Sequence, residues 1–220
     1  MSFVRYNRPH MPSRAPFVTY DSTLLDHVSV AAATSAARTS LRLASMLFLT
    51  ALTAAAAQLS VHLPFTPVPF TLQPMIVLVG SAALGPRLAA ASQVLYLLLG
   101  LAGFPVFAAS PILPQGAGRL LGPTGGFLMA YPLAAAVTGW LAERGFDRRY
   151  LTSILAMLAG LAMLFAGGVL WLAYGPQTAG ATGFRTALAA GFYPFVLPDI
   201  AKVAVAALVL PSVWRFAERS

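Results

Sequence analysis

The run Leu151-Thr-Ser-Ile-Leu-Ala-Met-Leu-Ala-Gly-Leu-Ala-Met-Leu-Phe-Ala-Gly-Gly-Val-Leu-Trp-Leu-Ala-Tyr174 contains no charged residue. A helix needs roughly 20 such residues to cross the ~30 Å hydrocarbon core of a bilayer. Residues 43–61, 88–103 and 124–142 form comparable runs, each bounded by charge, glycine or proline. Residues 70–84 make a shorter run behind a proline-rich loop. The last run is interrupted by Pro194 and Pro198. Proline is tolerated best in a first helical turn, so the spacing predicts a final helix from near Pro198 to Phe216, with residues 186–193 as a separate short helical piece. The expectation is an all-α, polytopic membrane protein with six transmembrane helices.

Composition agrees. Of 220 residues, 58% are hydrophobic and only 9% charged, with a mean hydropathy of +0.76, which leaves too little polar surface for a water-soluble domain. One membrane domain over residues 42–216 is expected. Before it lies a cytoplasmic extension, residues 1–41, with little fixed structure, and after it a short cytoplasmic C-terminus, residues 217–220. Cysteine is absent, which excludes disulfides, thiolate nucleophiles and cysteine-based metal sites. The net charge of +8 does not indicate nucleic acid, because the basic residues flank apolar runs. All of the 14 Lys and Arg except Arg119, Arg185 and Lys202 fall on one side of the expected spans. By the positive-inside rule both termini are then cytoplasmic in a bacterial inner membrane, which requires an even number of spans. The opposite side carries the longer loops rich in glycine and proline, and function is expected there.

Asp199 alone among the six acidic residues falls within a span, and the sole lysine, Lys202, follows it at i+3 on the same helix face. A charge facing lipid costs about 2.5–3.5 kcal/mol on insertion scales, so both should face the bundle interior. Two readings stand: an ion pair that only fixes helix packing, or a polar patch lining a pocket. In a helix starting at Pro198, Asp199 would also meet the positive end of the helix dipole. The loop Leu63-Pro-Phe-Thr-Pro-Val-Pro69 forces extended backbone, and Gln73 just beyond it must find a hydrogen-bond partner in apolar surroundings. Gly122-Pro-Thr-Gly-Gly-Phe127 is a second irregular stretch. Its Gly125 and Gly126 permit close approach of a ligand or backbone, and Thr124 can cap the next helix. No G-x-S-x-G, H-E-x-x-H or Walker A motif occurs, and His10, His27 and His62 are scattered, so the chain reads as no enzyme. Uphill transport would need an external ATPase.

Together, Pro67-Val-Pro-Phe-Thr-Leu-Gln73, Leu84-Gly-Pro-Arg87, Tyr96-Leu-Leu-Leu-Gly100, Gly103-Phe-Pro-Val-Phe107, Gly122 to Phe127 and Pro198-Asp-Ile-Ala-Lys202 resemble the BioY family. These are the biotin-binding S components of energy-coupling factor (ECF) transporters. The resemblance covers roughly residues 42–214 and implies the ECF S-component fold. It implies one biotin bound near the outer surface, as transported ligand with no cofactor, and docking to a transmembrane coupling protein and two ATPases. On that basis Asp199 accepts urea N–H groups and Lys202 donates to an oxygen of biotin, with the assignment of the two between the urea and the carboxylate left open. Gln73 adds an amide contact, Gly125 and Gly126 allow close approach, and Tyr96, Phe127 and Tyr131 form an apolar wall. Ala51 and Ala55 match the family's small-residue contact with the coupling protein. Two rivals keep the membrane fold: an S component for another vitamin, and a solitary or proton-coupled biotin carrier in which Asp199 titrates.

Overall fold

The computed structural model describes residues 23–30, 34–109, 115–176 and 183–217. In chain order its elements are α1 (Leu24–Val30), α2 (Ser35–Gln58), β1 (Ser60–Val61), β2 (Phe70–Thr71), α3 (Gln73–Leu84) and α4 (Pro86–Leu101). There follow α5 (Ala117–Leu121), α6 (Gly125–Leu141) running into a π-helical turn Ala142–Phe146, α7 (Tyr150–Tyr174), α8 (Gly183–Gly191), α9 (Tyr193–Ala206) and α10 (Val209–Ala217). β1 and β2 pair antiparallel, Ser60 opposite Thr71 and Val61 opposite Phe70.

Among the described residues, four helical stretches are long and apolar enough to cross a membrane: Ser35–Gln58, Gly125–Phe146, Tyr150–Tyr174 and Tyr193–Phe216. α3 and α4 have 12 and 16 residues. At 1.5 Å per residue they reach only about 18 and 24 Å, short of a full bilayer core. They are joined by Gly85 alone, whose φ of +80° suits glycine and lets the chain reverse within one residue. The surface is apolar where a soluble protein's would be polar: Leu197 is 75% exposed and Leu151 72%.

α6 and α7 pack through small residues. A Cβ on Gly160 would lie 2.1 Å from Thr138 Oγ1, and one on Gly126 2.1 Å from Trp171 Cβ, so glycine is what allows these backbones to approach. The buried core continues through Leu78, Tyr96, Met157, Leu164 and Val203, drawn from α3, α4, α7 and α9.

Several expectations need correction. The final span starts at Tyr193, not Pro198; Pro194 occupies the first turn and Pro198 sits inside the helix. Pro198 lacks only the N–H that would bond the Pro194 carbonyl, so the helix tolerates it. Asp199 therefore lies beyond the first turn and gains little from the helix dipole. The short helix before it covers Gly183–Gly191 rather than residues 186–193. The first long helix begins at Ser35, and Phe70 belongs to β2 rather than α3. Thr124 stands at the N-cap position of α6 without a side-chain cap bond; its backbone is already helical (φ −87°, ψ −4°), whereas capping geometry needs an extended residue.

The extension is not featureless either. Residues 1–22 lie outside the described residues, but Thr23 and Asp26 form a reciprocal cap: Thr23 Oγ1 donates to Asp26 Oδ2 at 3.0 Å and accepts from Asp26 N at 3.3 Å. That cap starts α1, which sits at the same end of the bundle as Gly85 and the π-helical turn. There Thr23 Cγ2 lies 2.9 Å from the position a Gly85 Cβ would take, and Arg42 pairs with Asp26 at 3.0 Å.

Candidate binding site

At the opposite end of the bundle, β2 and a non-helical strap of residues 104–109 border a cavity, which encloses about 710 Å³ when the solvent in its open mouth is counted. Most of its lining is apolar, including Phe107, Phe127, Leu128, Leu161, Phe165 and Phe195, and a few polar groups converge on it: Thr71, Gln73, Arg119, Tyr131, Asp199 and Lys202.

Asp199 and Lys202 face the cavity from one side of α9. The Lys202 ammonium donates to Asp199 Oδ1 at 2.8 Å and to the Thr71 carbonyl at 2.6 Å, and lies 3.5 Å above the Phe70 ring. Lys202 thereby ties α9 to β2. Only 5% of Asp199 is exposed, so this pairing with a charge and a carbonyl dipole is what makes its burial tolerable. Among the described residues its Oδ2 bonds no protein group, while the residue itself lines the cavity.

Gln73 finds the polar partner its position demands. Its Nε2 donates to the Tyr96 hydroxyl at 2.7 Å, and Tyr96 donates onward to the Val106 carbonyl at 3.2 Å. Tyr96 thus stands one layer behind the cavity wall, fully buried, with its ring 5.4 Å from Phe107 and 6.2 Å from Tyr131. Phe127 and Tyr131 do line the cavity. Gly125 and Gly126 do not; the position of a Gly125 Cβ is filled by the Leu120 carbonyl, and that of a Gly126 Cβ by Trp171. Their smallness serves the packing of α5 and α7 against α6.

Arg119, which in the sequence signals only an outward-side charge, is 3% exposed and lines the cavity. One guanidinium nitrogen donates to the Ala108 carbonyl, while its buried Nε has no hydrogen-bond partner among the described residues. Burial lowers its pKa from the ordinary arginine value, with Tyr96 opposing, yet a guanidinium keeps its charge in proteins. A buried, under-partnered cation beside a cavity is fitted to an anion. Its neighbours Gly118 and Leu120 give no periodicity that would have placed it inward.

The strap is held by side chains. Pro105 accepts from Gln58 Nε2 at 3.2 Å, Val106 from Tyr96, and Phe107 from Gln115 Nε2 at 3.2 Å. Ala108 accepts from Arg119, and the Ala109 carbonyl lies 2.9 Å from His62 Nε2. Five successive carbonyls, which no helix or sheet satisfies, are each held by a different residue. Ala51 and Ala55, by contrast, lie on an exposed face of α2, away from the cavity.

Comparison with known proteins adds to this geometry. The BioY family profile matches residues 28–219. A probable biotin transporter BioY of Pyrococcus horikoshii is 40% identical over 159 residues, covering 72% of this chain and 87% of that protein. The biotin transporter BioY of Thermotoga maritima is 38% identical over 149 residues, covering 68% and 82%. A crystal structure of the S component for biotin from an ECF-type ABC transporter shares the fold, with a TM-score of 0.68 at 23% identity, covering 83% of this chain and 95% of that one. With a family match over nearly its whole length and such close relatives, this chain belongs to the BioY family.

Proposed function

We propose that this chain captures biotin from outside the cell as the substrate-binding S component of an ECF-type importer. In this reading six helices cross the plasma membrane, α3 and α4 being the short pair, both termini are cytoplasmic, and the cavity opens outward. The basic residues support the orientation: Arg42, Arg87, Arg144 and Arg149 all stand at the end away from the cavity. Energy comes from the coupling protein and ATPases that relatives of this type assemble with, and the exposed face at Ala51 and Ala55 is where the coupling protein would dock.

The observation that carries the reading is the lone acid and lone amine set side by side in the wall of an apolar cavity. Biotin matches that wall part by part. Its urea offers two N–H donors, which Asp199 accepts through Oδ2. Its urea carbonyl takes the Lys202 N–H not used on Asp199 and Thr71, or the Gln73 amide. The fused rings rest against Phe127, Tyr131 and Phe195, and the carboxylate at the end of the flexible chain reaches Arg119.

Direct binding of biotin to the purified full chain, with riboflavin and thiamine as competitors, tests the proposal. Saturable biotin binding that neither competitor displaces is expected. Absence of biotin binding, or its displacement by either competitor, would overturn the reading.

A further inference from the structure

The strap and α2 meet at one residue. Gln58, on the last turn of α2, donates through Nε2 to its own helix at the Ala54 carbonyl and across to Pro105 at 3.2 Å, with Phe107 at the limit of reach, 3.5 Å. It lies one helical turn beyond Ala55, on the helix whose exposed face carries Ala51 and Ala55. Phe107 and Ala108, two residues of the same strap, line the cavity. Gly100 lets Phe107 pack close, because a Cβ there would lie 2.0 Å from the ring.

The strap therefore has one edge in the cavity and one edge on α2. On the cavity side, Arg119 divides between the Ala108 carbonyl and whatever anion enters, so an anionic ligand competes for the group that fixes the strap. On the α2 side, Gln58 is the side chain that anchors Pro105. We infer that Gln58 is a positioning residue that couples occupancy of the cavity to the exposed face of α2 through the strap. The inference rests on the biotin-binding reading above. A contiguous hydrogen-bonded element that both sites contact gives such coupling a route, and reciprocity follows: whatever engages the α2 face alters the affinity for the ligand.

The chain has no cysteine, so Ala51→Cys accepts a single environment-sensitive fluorophore on the exposed face of α2. The labelled full chain in lipid nanodiscs is titrated with biotin, and biotin release is timed by chase with unlabelled vitamin. In the parent a fluorescence change should track binding. Gln58→Met keeps the bulk but removes the donor; it should abolish the change while biotin still binds, and speed release about 5- to 10-fold. Gln58→Lys restores a donor and should recover both. Gln115→Met loosens the strap at Phe107 without cutting the link to α2, so it should speed release and keep the fluorescence change. A parent that binds biotin with no signal, or Gln58→Met with signal and release rate as in the parent, would overturn the inference. So would faster release with the signal kept in Gln58→Met. A parent that binds no biotin would instead overturn the functional reading on which it rests.

Discussion

Among the described residues two carboxylates are buried, one at each end of the bundle, and their surroundings differ. Asp147, between the π-helical turn and α7, is 1% exposed. Trp214 Nε1 donates to its Oδ2 at 2.6 Å, Arg148 Nε stands 3.6 Å from Oδ1, and the Arg148 guanidinium lies 3.4 Å above the Trp214 ring. His27 from α1 meets the other edge of that ring at 5.4 Å. This is a closed knot joining α1, the turn before α7 and α10. Asp199 is nearly as buried and has a cation of its own, yet it borders a cavity. An acid buried in apolar helices is thus no sign of a site by itself: among the described residues Asp147 Oδ1 also lacks a hydrogen bond, and what separates the two is that Asp199 borders a cavity.

That contrast can be broken from either end. The largest effect is expected from Asp199→Asn, which should weaken biotin binding about 10- to 150-fold in equilibrium titration, as loss of a charged hydrogen bond of about 1.5–3 kcal/mol implies. Unchanged affinity would remove Asp199 from the site. Asp147→Ala should do the reverse. By leaving the Trp214 N–H without its acceptor it should cost about 1–3 kcal/mol in chemical denaturation, while biotin affinity stays at the wild-type value. Trp214→Phe keeps an aromatic ring near Arg148 and His27 but loses the N–H and part of the buried indole volume, so it should cost a comparable amount, about 1–3 kcal/mol, in the same measurement. The smallest effect is a pH slope. Burial, opposed by Trp214 and Arg148, raises the Asp147 pKa. Its contribution is therefore full below the ordinary aspartate value near 4, about 3.9, and is lost as pH rises through the raised pKa. Wild type should lose stability over that window relative to Asp147→Asn; parallel pH profiles would show that burial does not perturb this acid.

Much of this was open to reading in the sequence. Residues 151–174 signalled a spanning helix by the absence of charge alone, and Asp199 with Lys202 signalled a shared face by spacing alone, because both are local properties. The cap that begins α1 was equally local, in Thr23 and Asp26, but it precedes a helix of only seven residues with no apolar run to draw the eye. Arg119 was hidden for a different reason: it becomes a cavity group only when the strap brings the Ala108 carbonyl to it, across a stretch of glycine and proline without periodicity. Gly125 and Gly126 pointed to close approach, and close approach occurs, but to Leu120 and Trp171 rather than to the cavity. A glycine announces proximity without naming the neighbour.

The bond from Lys202 to the Thr71 carbonyl spans 131 positions of the chain. The hairpin that supplies that carbonyl is made early in synthesis, whereas the helix that reaches it follows only after α3 to α8 have been made. Until then one wall of the cavity does not exist, and closing so long a loop must be offset by the contacts that α9 itself makes. A chain that stops before α9 would therefore lack Asp199, Lys202 and the wall they form, although α2 to α7 would already have been made.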